Sequence, residues 1–210
     1  MTPPVSVVTV RHVKEAITQI FQASIEAKEQ FLRAQSSELI AATNTVVRTL
    51  RAGGKILLFG NGGSAADAQH LAAEFVNRYL IDRPPLPAIA LTTDSSALTS
   101  IANDYGPADI FVKQIQALGK DKDVAIALST SGNSANVLRG LESCRTIGMP
   151  TIGLTGGSGG AMAALVDHCL CVSATTVTPR IQETHILIGH VICEMVDRRL
   201  YGAGRTESEP

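Results

Sequence analysis

Tryptophan is absent from this 210-residue chain, and five Phe and three Tyr leave aromatics at only 4%. A core of ordinary size must therefore be built from Ala, Val, Ile and Leu, the composition of buried parallel sheets. Charge is also scarce: 18 Lys and Arg against 19 Asp and Glu leave a net charge of -1, with no basic block. That argues against an electrostatic nucleic-acid or membrane surface. No apolar run approaches the roughly 18 residues of a membrane span. Met1–Ser6 has neither a basic segment nor a long apolar one, so the expectation is a cytoplasmic protein. The four cysteines, Cys144, Cys169, Cys171 and Cys193, form no CxxC pair, which removes a zinc knuckle or a thioredoxin-like dithiol. Cys169 and Cys171 would share one face of a strand as small core residues.

What the chain does have is a regular alternation. Residues from about 8 to 52 read as two helices, the first with a stripe of Val13, Ile17, Ile20, Phe21 and Ser24, the second running from near Ser37 to Gly53-Gly54. From Lys55 onward, short apolar runs alternate with helical stretches. The runs are Lys55–Phe59, Ala88–Thr92, Asp123–Leu128, Thr151–Thr155 and Cys169–Val172. Such alternation means βαβ units, an α/β fold with a parallel sheet between helical layers. A final helix starts near Pro179, and the polar tail from Gly202 to Pro210 is expected to be disordered.

Three of the runs end in small polar turns: Gly60-Asn61-Gly62-Gly63-Ser64, Ser129-Thr130-Ser131-Gly132-Asn133-Ser134 and Gly156-Gly157-Ser158-Gly159-Gly160. Ligands of parallel sheets sit beyond the carboxyl ends of the strands, so these turns mark a polar ligand mouth. The Ser129–Ser134 loop sits between a strand end and a helix N-terminus, where free N–H groups and hydroxyls can cradle a phosphate without Lys or Arg. It also reads as a plain capping loop. Gly60–Ala65 matches the loose dinucleotide pattern GxGxx(G/A). The acidic residue that pattern wants about 20 residues on is missing, Asp94 lying about 30 on. Ser64 as helix N-cap, with Asp67 completing a capping box, is the better local reading.

The helix opening at Ser64 carries His70 and Glu74 at an i, i+4 spacing, able to share a metal ion or a substrate, or to stand as a solvated pair. On the last helix Gln182 and His190 lie about 80° apart around the axis and could flank one site. His190 sits in an apolar stretch, where a histidine needs a partner, and Gly189 beside it permits close approach of another element. His168 and His185 read as ordinary surface or satisfied residues. Asn103-Asp104 lies in a turn context, with ligand hydroxyl binding as the alternative.

Taken together, Gly60–Ser64 with Asp67, His70 and Glu74, then Ser129–Ser134, then Arg180-Ile181-Gln182-Glu183 and His190, resemble the sugar-isomerase (SIS) domain family over about residues 10–201. The resemblance implies a five-stranded parallel sheet flanked by helices, with residues 1–52 as N-terminal helices packing on the core and in an oligomer interface, 53–201 as the SIS domain, and 202–210 as a tail. It implies isomerisation of sedoheptulose 7-phosphate to D-glycero-D-manno-heptose 7-phosphate, an early step toward nucleotide-activated heptose for lipopolysaccharide or surface glycan. Whether that heptose is ADP- or GDP-linked is left open. By matching position, His70, Glu74, Gln182 and His190 would bind one Zn2+ per subunit, and Glu74 and His190 would be the acid–base pair. Asn61, Gly62, Gly63, Ser64, Glu74, Asn103, Asp104, Ser129, Thr130, Ser131, Ser134 and Gln182 would bind substrate. The implied partners are a small sugar phosphate and other copies of the chain in a homotetramer with shared sites, and neither nucleic acid nor membrane. One departure stands out: Pro179 occupies a position that is acidic in some relatives. The family also contains a non-catalytic member that binds the replication initiator. It lacks the catalytic glutamate and the last-helix histidine, so Glu74 and His190 favour the enzyme; an isomerase of another sugar phosphate is the remaining alternative.

Overall fold

The computed structural model describes residues 10–202, so the first nine residues and the polar stretch 203–210 lie outside the described residues. The chain enters through one helix of 42 residues, α1 (Val10–Arg51), rather than the two expected. Ser36-Ser37 does not interrupt it. No Gly or Pro falls between Val10 and Arg51, so nothing there breaks the ladder of i→i−4 hydrogen bonds. Its last third is buried through Ala42, Val46 and Val47, while Val13, Ile17, Ile20 and Phe21 on its first third stay exposed.

The five apolar runs become β1 (Ile56–Gly60), β2 (Ala88–Ala90), β3 (Val124–Leu128), β4 (Thr151–Gly156) and β5 (His168–Val172). They form one sheet of order β2-β1-β3-β4-β5 with every pairing parallel. Every residue of β1, β3 and β4 is buried, as expected of strands covered on both faces. Strand residues alternate between two cores. Ile56, Leu58, Ile126 and Leu154 face α1 together with α2 (Gly63–Val76) and α6 (Thr178–Tyr201). Leu57, Phe59, Ala125 and Ala127 face α4 (Val112–Leu118) and α5 (Ala135–Ile147) on the other side. The result is three layers, with α3 (Ser95–Asp104) at the rim after β2. Cys144 and Cys193 are core residues, whereas Cys169 and Cys171 are only half-buried: β5 ends the sheet, and on it Leu170 and Val172 take the inward positions instead.

The strand order reverses between β1 and β3, because the chain leaves β1 toward β2 and returns to place β3 on its other side. That switch opens a crevice at the carboxyl ends of β1 and β3, where ligands of such sheets bind. The glycine turn after β1 and the Ser129–Ser134 loop after β3 border it.

Candidate active site

Local chemistry explains how α2 and α6 come to meet at the crevice. The last helix carries Gly189 where α2 carries Leu71. A Cβ on residue 189 would stand 2.4 Å from Leu71 Cδ2, so only glycine admits this approach. One residue on, His190 Nε2 lies 2.8 Å from His70 Nε2 on α2. Glu74 Oε1 lies 3.5 Å from the same His70 nitrogen. The sequence pair His70 and Glu74 and the distant His190 are thus one cluster. Tyr79 stacks at a tilt on His190, with ring centroids 5.6 Å apart. Burial, and then the neighbouring His70, lowers the pKa of His190, while Glu74 acts against them. His190 is therefore a neutral imidazole at neutral pH, able to donate or accept a proton.

Gln182 on α6 lies against the start of α2. Its Nε2 would be 2.5 Å from a Cβ on Gly63, so glycine at the start of α2 makes room for this amide. The expected capping box is absent. Gly62, with φ 55°, is the N-cap of α2 and no side chain caps it; Ser64 instead is buried inside the first turn against Gly60. Asp67 is left with a buried Oδ2 that has no partner among the described residues, and burial raises its pKa against the opposing effect of His70. The uncapped N–H groups of α2 therefore remain directed at the crevice.

Two imidazoles, a carboxylate and an amide oxygen make a donor set that suits zinc. The 2.8 Å between the two Nε2 atoms is a hydrogen-bond distance. Ligands of a tetrahedral zinc lie about 3.3 Å apart, so the rings would have to part by about half an ångström to share one ion. Among the described residues no three His, Cys, Asp or Glu side chains already stand in a metal-holding arrangement.

The pair of helices is locked by a residue that sequence reading passed over as part of a proline-rich turn. Arg83, 8% exposed, donates to the carbonyls of Glu74 and Phe75, which end α2, and to Asp197 on α6 at 2.8 Å. It caps the helix carrying Glu74 and ties it to the helix carrying His190. Only its neighbourhood of Pro84-Pro85 hinted that the segment has a rigid job.

At the other end, the Ser129–Ser134 loop joins β3 to α5 as expected. Ser129 and Ser134 share a hydroxyl contact of 3.1 Å, and Gly132 turns the loop at φ 64°. Ser134 is the N-cap of α5 without a side-chain capping bond, which leaves the first-turn donors open. The third glycine turn clamps this loop from behind: Ala161 N–H donates to Asn133 Oδ1, and Met162 N–H to Gly132 O. Across the crevice, Asn61 and Asn136 exchange two amide hydrogen bonds of 2.8 and 2.9 Å. Asn136, absent from the sequence candidates, sits two residues after the loop. Its place in the first helical turn was the available signal. Gly62 lies beside Asn61 in the same turn.

Asn103 and Asp104 are not in a turn; they form the exposed last turn of α3. Asn103 donates to Asp104 at 2.9 Å, and among the described residues no side-chain hydrogen bond joins them to the other candidates. His168 is satisfied by Glu38 and Thr45. His185 is satisfied on one side only: it is fully buried, with Nε2 on the Thr155 carbonyl at 2.9 Å and Nδ1 unpartnered.

Comparison with known proteins gives the chain's relatives. The chain is 52% identical over 180 residues to a phosphoheptose isomerase of Roseiflexus sp. (strain RS-1), covering 86% of this chain and 91% of that one. It is 52% identical over 186 residues to phosphoheptose isomerase 2 of Campylobacter jejuni, covering 88% and 92%. The structure superposes on a phosphoheptose isomerase from Neisseria gonorrhoeae with a TM-score of 0.83 at 44% identity, over 88% of this chain and 98% of that one. The profile of the SIS domain matches residues 19–156, which run from the exposed part of α1 to the end of β4 and include His70, Glu74 and the β3 loop, whereas Gln182 and His190 on α6 lie beyond it. The chain belongs to the SIS domain family.

Proposed function

We infer that the chain interconverts sedoheptulose 7-phosphate and D-glycero-D-manno-heptose 7-phosphate as an aldose–ketose isomerase. Relatives at 52% identity over most of their length carry the name phosphoheptose isomerase. The observation that carries the reading is the meeting of Glu74 and His190 around His70 at one side of a crevice whose other side is a neutral hydroxyl loop.

The reaction moves a proton between C1 and C2 through an enediolate, so it needs a base at carbon, a proton carrier at oxygen and charge stabilisation where the oxyanion develops. Glu74, with its side chain 24% exposed, is open enough to reach the carbon and takes the proton on its carboxylate. His190, held toward its neutral form by burial, moves the proton at the substrate oxygen. The β3 loop binds the remote phosphate, so that binding energy there positions the reacting end. One zinc ion per subunit, held by His70, Glu74, Gln182 and His190, would supply Lewis acidity at the carbonyl. Glu74 and Gln182 also belong to the proposed substrate-binding set, with Asn61, Gly62, Gly63, Ser64, Asn103, Asp104, Ser129, Thr130, Ser131 and Ser134.

The proposed assembly is a homotetramer in the cytoplasm, acting early in heptose supply for surface glycans. Its support is the unpartnered stripe on α1. Ile20, Phe21, Ile25, Arg180 and Glu183 border a cleft of about 300 Å³ there, and Arg180 and Glu183 flank Gln182. A second copy covering that stripe would abut the site and could meet the buried Arg180 Nε, which has no partner among the described residues.

Turnover of sedoheptulose 7-phosphate by the purified chain, with metal content measured before and after chelation, tests the reading. Activity lost on chelation and restored by zinc is expected. Metal-indifferent turnover would remove zinc from the proposal, and no turnover with metal supplied would favour a binding protein.

A further inference from the structure

Beside the β3 loop lies a cavity of about 270 Å³ that the candidate site residues do not account for. Thr130 and Ser131 contribute one side; Ser158 from the β4 turn, with Thr176 and Thr178 from the lead-in to α6, contribute the rest. Its floor is Gly156 with Ile181, packed so closely that a Cβ on residue 156 would stand 2.5 Å from Ile181 Cδ1. No charged residue borders it.

The β3 loop is short of donors for a dianion. One of the Ser129 and Ser134 hydroxyl protons is taken up by the other hydroxyl, and the Asn133 N–H is taken up by Ser131 Oγ. A phosphate carries three terminal oxygens that each accept more than one hydrogen bond, and with no Lys or Arg present the donors must be hydroxyls and backbone N–H groups. Thr176 and Ser158 are exposed, and neither they nor Thr178 has a side-chain hydrogen bond among the described residues. The first turn of α6 carries no acidic residue that would oppose an anion.

We propose that Ser158, Thr176 and Thr178 are substrate-binding residues whose hydroxyls complete the phosphate compartment begun by Thr130 and Ser131. The proposal rests on the reading of the chain as a sugar-phosphate isomerase. It gives a direct role at the ligand to the third glycine turn, which also braces the β3 loop, and to the 173–178 segment.

The test is the holoenzyme carrying Ser158→Ala, Thr176→Val and Thr178→Val together, replacements that keep size and remove donors. Expected is a KM for sedoheptulose 7-phosphate raised at least tenfold, with the loss falling on KM more than on kcat, and inhibition by inorganic phosphate weakened by a similar factor. Unchanged KM and unchanged phosphate inhibition would overturn it. A raised KM with unchanged phosphate inhibition would overturn the phosphate assignment and give these hydroxyls to the sugar. Thr176→Val alone, at an exposed position, should raise KM at least threefold and covers the case in which the triple variant does not fold. Titration calorimetry with inorganic phosphate separates this proposal from the one beneath it. If the unmodified chain fails to turn over the sugar, the isomerase reading falls, and phosphate affinity still reports on the three hydroxyls.

Discussion

The proposed phosphate end of the crevice is shaped by backbone, and the proposed reacting end by side chains held between two helices. At the phosphate end Gly132, Gly159 and Gly160 pack main chain on main chain, a Cβ on Gly132 having only 2.0 Å to the Gly159 carbonyl oxygen. At the reacting end α2 and α6 close on each other where Gly189 receives the Leu71 side chain and Gly63 the Gln182 amide, and the proposed chemistry rests on the side chains of His70, Glu74 and His190. The first construction tolerates almost no added atom and needs no particular charge. The second can be emptied of chemistry by one isosteric exchange while its packing stays intact. What the difference teaches is that binding and chemistry at the two ends should fail separately.

The sharpest break is Glu74→Gln. It keeps volume and removes the base, and should lower kcat by about 10²–10⁴ while thermal unfolding stays where it was. Near-normal turnover would show that the proton is taken elsewhere. Next comes Arg83→Met, which strikes the frame rather than the chemistry. It leaves Asp197 buried without its cation and four carbonyls without their donor, a loss of about 3–5 kcal/mol. For a chain of this length Tm should fall by roughly 6–20 °C. If Asp197→Leu added to Arg83→Met fails to recover any of that loss, the stranded carboxylate is not its cause.

The two ends also differed in how far they could be read from residues alone. The Ser129–Ser134 loop was visible as a loop because its surroundings announce themselves locally: an apolar run, then Ser129–Ser134, then a helix. The parallel sheet was visible for the same reason, each strand being a short Ala/Val/Ile/Leu run with a break on either side. At the reacting end residue identity and helix spacing suggested His70, Glu74 and His190, but what joins them lies far away in sequence. Arg83 bridges 114 residues to Asp197, and nothing in Arg83-Pro84-Pro85 announces a partner. Capping was misread because Ser64 and Asp67 have the right spacing, and only the packing of Ser64 beneath Gly60 shows that the helix begins two residues earlier. The unity of α1 was a matter of weighting Ser36-Ser37 over the absence of Gly and Pro.

A smaller pair of changes sets one end directly against the other. Gly62 and Gly132 both hold positive φ, 55° and 64°, but only Gly132 lacks room for a Cβ. Gly62→Ala should cost about 1–2 kcal/mol of backbone strain. Gly132→Ala adds an overlap worth a further 1–3 kcal/mol or so and displaces the loop. Chemical denaturation should rank them in that order, with the KM for sugar phosphate rising more for Gly132→Ala. Equal costs would mean that the Gly159 contact can open without penalty.

The least conspicuous link between the two ends is His185, one turn beyond Gln182 on α6, which donates from Nε2 to the Thr155 carbonyl at the close of β4. From Thr155 the path continues through its hydroxyl to Gly159 O and so to the clamp on the phosphate loop. Burial pushes the pKa of His185 down to about 4, because its Nδ1 faces no acceptor that could hold a proton. The folded value lies below the unfolded one, near 6.5, so the unfolded chain binds the proton more readily. This residue's contribution is complete above pH 6.5 and drains away as pH falls toward 4. Between pH 7 and pH 5 the loss should be about 2 kcal/mol. His185→Gln can still donate to Thr155 and does not titrate. Its unfolding free energy should therefore decline less over that interval than that of the unchanged chain, by about that amount. Parallel stability curves would mean that His185 takes up its proton in place, and that the bridge between the helix of Gln182 and the phosphate loop is wetter than its burial indicates.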